Sequence, residues 1–189
     1  MESKTTKSLF TTSGMLKTLV FSSILLMFGS NTILAQGATT TINLVLADVI
    51  SIDPGSAANG GTVDFHYENV NDYNSEKTTT INNSLIITFT KPFDLKVKAN
   101  GENFENGSNS IPVNVLTIKR NESSKINGNS APIVLSTQDQ VLISGADRGS
   151  KLNLDLDYII PQARSSSNDI LGKPAGTYTQ KITYTATAI

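Results

Sequence analysis

The chain has 189 residues, of which 38% are hydrophobic and only 16% charged, and its formal net charge is -1. It contains no Cys, no Trp and a single His, which excludes a thiol nucleophile, a disulfide framework, a zinc cluster and iron–sulfur ligation. The near-neutral balance supplies no basic face for nucleic acid, and Ser, Thr and Asn, about a third of the chain, take over the polar surface.

Lys4, Lys7 and Lys17 precede an apolar run, Leu19–Phe21 and Ile24–Phe28, which ends at Gly29, Ser30 and Asn31. Ala35 then places a small side chain before Gln36. A basic start, a short apolar stretch and a small residue read as a secretory signal peptide over residues 1–35. The run is about half of the roughly 20 residues that cross a bilayer, so no integral membrane segment is expected after cleavage. Residues 36–189 are read as one exported, mildly acidic domain, destined for the periplasm, surface or surroundings of a bacterium.

Beyond residue 38 the hydrophobic period is two almost throughout. Ile42, Leu44, Leu46, Ile50 and Ile52 alternate, with Asp48 as the interruption. Val63, Phe65 and Tyr67 follow, then Leu85, Ile87 and Phe89, then the regular set Phe93, Leu95, Val97 and Ala99. Ile111, Val113 and Val115 form the next set, and Val141 with Ile143 a weaker one. Leu152, Leu154, Leu156, Tyr158 and Ile160 precede a closing set of Tyr178, Ile182, Tyr184, Ala186 and Ala188.

Turn signals separate these runs: Asp53-Pro54-Gly55, Asn59-Gly60-Gly61, Lys91-Pro92, Asn100-Gly101, Asn106-Gly107, Asn127-Gly128 and Lys173-Pro174. No stretch carries helical spacing. The pattern predicts an all-β, immunoglobulin-like β-sandwich of about seven to nine strands, with a closed barrel as the rival architecture. Residues 68–80 and 163–173 lack alternation and are expected to be exposed loops.

Groups that could carry chemistry are sparse. Asp155 and Asp157 share one face of a strand whose other face holds Leu154, Leu156 and Tyr158, so both carboxylates are expected to meet water. His66 alternates with apolar neighbours on the outward side, with no G-x-S-x-G elbow and no second His. Asp139 and Asp147-Arg148-Gly149 form only fragments of a calcium loop. Asn82, Asn106 and Asn121 begin N-x-S sequons, a cheap match in a chain this rich in Asn and Ser, and are read as polar turn residues. No catalytic, metal or cofactor site is predicted, and an enzyme is not expected. Tyr73 and Tyr178 are aromatics outside the inward register, and Tyr73 marks a candidate ligand loop. A glycan could be met through loops 68–80, 100–110 and 163–173.

The segment bearing Ile42, Leu44 and Leu46 begins close to the expected new N-terminus. Bulky side chains at every second position suit either an ordinary first strand or a strand donated to another subunit. The ending Pro174-Ala175-Gly176-Thr177-Tyr178-Thr179-Gln180-Lys181-Ile182-Thr183-Tyr184-Thr185-Ala186 resembles the final strand of secreted bacterial surface β-sandwiches. These are the spore-coat-protein-U-like and chaperone–usher pilin-like subunits, DUF4402-type domains and WxL-type wall-associated domains. Pro92-Phe93-Asp94-Leu95-Lys96-Val97-Lys98-Ala99 is similar to their central strand. The cysteine pair of many pilins and the W-x-L motif are missing. The resemblance implies an envelope or pilus-type structural subunit, with other surface subunits or a periplasmic chaperone as partners, and transfers no catalytic residue.

Overall fold

The computed structural model describes residues 40–189, so the expected signal peptide lies outside the described residues. Leu46–Ile189 forms one compact unit; residues 40–45 carry no regular structure.

The alternating runs become strands where a neighbour can complete their hydrogen bonds. In chain order these are β1 (Ile50–Ile52), β2 (Lys77–Phe89), β3 (Phe93–Ala99), β4 (Asn103–Asn106), β5 (Asn109–Pro112), β6 (Thr117–Arg120), β7 (Asn129–Ser130), β8 (Ile133–Val134), β9 (Gln140–Ala146), β10 (Gly149–Ile160) and β11 (Ile182–Ala188). Two single-turn helices join them, α1 (Val70–Tyr73) and α2 (Gln162–Ser165). The order β1-β2-β10-β6-β8 makes one sheet, β11-β3-β9-β7 the other, and β4-β5 a separate hairpin. Every pairing is antiparallel. The all-β sandwich expected from the periodicity is thus present, with nine strands in its two sheets.

The core lies between the sheets. Phe93, Leu95, Val97 and Ala99 are all buried, as are Leu154, Leu156 and Tyr158, while Asp94, Lys96 and Lys98 fill the partly open alternate positions of β3. Phe89 and Phe93 close the β2–β3 turn by stacking, with ring centroids 4.3 Å apart.

Several expectations need correction. Of the run from Ile42 to Ile52 only Ile50–Ile52 is a strand, paired with Ile87–Phe89. Ile42, Leu44 and Leu46 are 83%, 87% and 90% exposed and belong to no strand. Val63, Phe65 and Tyr67 alternate in burial with exposed Asp64, His66 and Glu68, yet the segment joins no ladder. Among the described residues no backbone group of residues 61–67 bonds to another backbone group. Thr78, Thr79 and Thr80, expected in a loop, begin β2 opposite Ile159, Tyr158 and Asp157, because β-branched Thr suits a pleated strand without being apolar. In 163–173, Ser165 and Ile170 are buried rather than exposed. Val113–Val115 is a 3-10 turn rather than a strand. An irregularity between β3 and β9 leaves Val141 exposed and turns both Leu142 and Ile143 inward.

The two carboxylates of β10 are also not simply solvated. Extra residues bulge from β2 between Ile81 and Leu85, with Asn83 at φ 51°, and the freed Asn83 amide donates to Asp155 Oδ1 at 2.6 Å. Ser123 Oγ donates to the second oxygen of Asp155 at 2.7 Å. Asp157 is 7% exposed; Thr80 Oγ1 and Asn121 Nδ2 donate to it at 2.7 and 2.8 Å, and Lys119 Nζ lies 3.7 Å away. These carboxylates staple β10 to both of its neighbours.

Candidate functional site

One end of the sandwich opens as a cleft of about 430 Å³, within the size range of small-ligand pockets. Its lining comes from the segment around Val63–Glu68, α1, the β4–β5 hairpin and the chain leading into β11. Val115, Leu116, Ile160 and Ile170, all buried, form its apolar floor.

Each wall is held by local chemistry. Asn69 caps α1: its side chain accepts from the Asn71 amide at 2.9 Å, and the Asn69 amide donates to Asp72 Oδ2 at 3.1 Å. Lys77 Nζ meets Asp72 Oδ1 at 2.6 Å and lies 5.7 Å from the centre of the Tyr67 ring. That bond and the cap hold the Asp72 carboxyl down from its ordinary 3.8 to about 2. Tyr73, the last residue of α1, packs against Tyr67 with ring centroids 5.0 Å apart. The Tyr67 hydroxyl bonds at 2.8 Å to Ser165 Oγ, a fully buried group of α2, and burial raises its pKa above the usual 10.

Opposite, Phe104 and Ile111 are cross-strand partners in the hairpin and share its cleft face. Glu105 and Thr179 exchange a pair of backbone bonds at 3.0 Å, tying the approach to β11 against the hairpin. Tyr178 donates its hydroxyl to the Pro174 carbonyl at 2.9 Å. Gly176 passes so close that a Cβ there would overlap Asn106 Nδ2.

The distribution of aromatic side chains sets this cleft apart. Of the nine Phe and Tyr residues described, Phe89, Phe93, Tyr158 and Tyr184 belong to the interior. The other five, Phe65, Tyr67, Tyr73, Phe104 and Tyr178, all line the cleft. Tyr73, singled out in the sequence, is therefore one of a group that also includes Tyr178. Loops 68–80, 100–110 and 163–173 converge on it through Tyr73, Phe104, Ile170 and Lys173. Phe65, Tyr67 and Phe104 carry no site signal in the sequence, because Phe65 and Tyr67 alternate like core positions and Phe104 stands alone in a polar stretch.

A second recess of about 480 Å³ is polar and includes Lys119, Arg120, Asn121 and Asp157. Its groups are largely engaged internally: Asn121 and Lys119 with Asp157, and Arg120 Nη1 with the Ile126 carbonyl at 2.7 Å. His66 is an exposed member of the aromatic cleft's lining and has neither a hydrogen-bonding nor an ionic partner among the described residues. No group of three His, Cys, Asp or Glu side chains among the described residues could hold a metal ion. No helix among them is long and apolar enough to cross a membrane.

Fold and site together define an all-β sandwich protein with an aromatic-lined cleft at one end. No protein-family model matches the chain, and no curated protein matches it in sequence.

Proposed function

We propose that this chain is a non-enzymatic, exported envelope or surface subunit of a bacterium, pilin- or adhesin-like, that assembles by β-strand addition. The observation that carries this reading is the segment Ile42–Leu46. Its alternate side chains Ile42, Leu44 and Leu46 are more than four-fifths exposed and bury nothing in a strand pair. Such a segment gains apolar burial and backbone bonds by adding to the sheet edge of another copy. The outer edge of β2 over Lys77–Asn82 has no backbone partner among the described residues and is a suitable acceptor. Other surface subunits are then the partners, and a periplasmic chaperone would cover the edge before assembly.

The test is the oligomeric state of the purified chain, measured by light scattering, with and without a peptide of residues 39–52. Self-association that the peptide inhibits, and that Ile42→Asp, Leu44→Asp and Leu46→Asp together abolish, is expected. A chain that stays monomeric and takes up no peptide overturns the reading.

A second reading, a polysaccharide- or peptidoglycan-binding module, is favoured by the convergence of three separate loops on one cleft that includes Tyr73. Retention of the chain on insoluble glycan tests it.

A further inference from the structure

We infer that the aromatic cleft is a binding site for a neutral sugar ring of a surface polysaccharide, with Tyr73, Phe104 and Tyr178 as its stacking faces and Asp64 and Glu68 as acceptors for sugar hydroxyls. This inference rests on the glycan-binding reading and gives it a place and a ligand chemistry.

Three observations carry it. First, five of the nine described aromatics line this one cleft, four of them partly buried against the edge of the core. A sugar ring has an apolar C–H face and a polar edge, and it is held by flat apolar side chains together with a few directed polar groups.

Second, two of the three cleft tyrosines offer rings rather than hydroxyls. The Tyr67 and Tyr178 hydroxyls are already bonded, to Ser165 and to the Pro174 carbonyl. Both rings are thereby fixed before any ligand arrives, which lowers the entropy cost of binding.

Third, the charges select against an anion. Asp64 and Glu68 line the cleft from outward positions of their segment, and neither carboxylate has a hydrogen-bonding or ionic partner among the described residues. Lys173 is the one Lys or Arg in the lining. A carboxylate only accepts hydrogen bonds and is matched to the hydroxyl donors of a neutral sugar. An acidic sugar would meet two like charges against one opposite charge. The floor of Val115, Leu116, Ile160 and Ile170 gives the C–H face an apolar base.

The chain has no Trp, so its intrinsic emission comes from five tyrosines, three of which line the cleft. Tyrosine fluorescence and titration calorimetry of the purified chain with chitotetraose and cellotetraose, neutral oligosaccharides, read the site directly. Saturable binding of at least one is expected. Tyr73→Ala and Glu68→Gln should each weaken it by about tenfold, and Tyr184→Phe, in the core, should leave it unchanged. Circular dichroism of each variant separates lost contacts from lost folding.

Retention on insoluble glycan that Tyr73→Ala and Glu68→Gln do not alter would overturn the cleft assignment and leave the module reading standing. Absence of both titration and retention with every glycan tried would overturn both. Stronger binding of tetragalacturonate than of the neutral sugars would overturn the stated ligand class. Saturation of the cleft by the 39–52 peptide in place of sugar would make it a protein-docking site and end the proposal.

Discussion

The hydroxyls of Tyr158 and Tyr184 meet 2.7 Å apart, joining β10 of one sheet to β11 of the other. The Tyr158 hydroxyl also lies 3.2 Å from Ser84 Oγ, a fully buried group on β2. Two large side chains thus span the sandwich without leaving a buried oxygen alone.

Burial raises the pKa of Tyr158 above 10 and that of Tyr184 well above it. A hydroxyl whose pKa is higher folded than unfolded stabilises the fold fully below about pH 10 and loses that contribution as pH rises further. In an alkaline titration followed by tyrosinate absorbance, these two residues should ionise only as the chain unfolds. Tyr184→Phe removes the inter-sheet bond and should cost about 0.5–1.5 kcal/mol in urea denaturation.

Truncation along β3 and β10 distinguishes packing from hydrogen bonding. Leu95→Ala or Leu154→Ala, each deleting a fully buried side chain, should cost about 2–5 kcal/mol. Lys96→Ala, on the half-open face of β3, should change stability by less than about 0.5 kcal/mol. Asp157→Ala behaves unlike that surface change, because the Thr80 and Asn121 donors lose their acceptor, and a loss of about 1–3 kcal/mol is expected. Equal losses at Lys96 and Asp157 would contradict the stapling role of the β10 carboxylates.

Asp72 gives the cleft an acid-sensitive wall. Its carboxyl, held to about 2 by Lys77 and by the Glu68 and Asn69 amides, stabilises α1 above the ordinary value of 3.8. That contribution fades as pH falls from about 4 through about 2. Asp72→Asn should lower the melting temperature at neutral pH and flatten its dependence across that acid window. Thermal melts at a series of pH values provide the measurement.

Gly128 follows Asn127 just before β7, at φ 112°, in a conformation that L side chains rarely adopt. A Cβ there would lie 2.8 Å from the Ser144 carbonyl oxygen and 3.1 Å from Ala146 Cα. Because backbone blocks the added carbon, Gly128→Ala should cost more than about 1 kcal/mol. Gly107→Ala, also at positive φ but with nothing within 4 Å, should cost less. Paired urea denaturations decide the order.

Legibility in the sequence followed how local each cause is. The alternation at Phe93, Leu95, Val97 and Ala99 translated directly into burial, and Asn106-Gly107 into the β4–β5 turn, with Gly107 at φ 61°. Val63, Phe65 and Tyr67 show the limit. Their alternation is real in burial, but a ladder also needs a neighbouring backbone in register, and none is bonded to them. The β2 bulge at Asn83 is equally silent in the sequence, and it is what turns an amide toward Asp155. Tyr73 could be noticed as an aromatic in a polar stretch; its grouping with Phe104 and Tyr178 could not.

The amino-acid sequence alone determined that extended strands would pack in layers, because a period of two and well-placed turn residues are properties of neighbours along the chain. Only the tertiary structure decided which edges stay unpaired, which carboxylates are stapled and which aromatics meet in one cleft. Those outcomes depend on contacts between residues tens of positions apart, and pairing, burial and convergence follow from the placement of whole strands rather than from any local pattern.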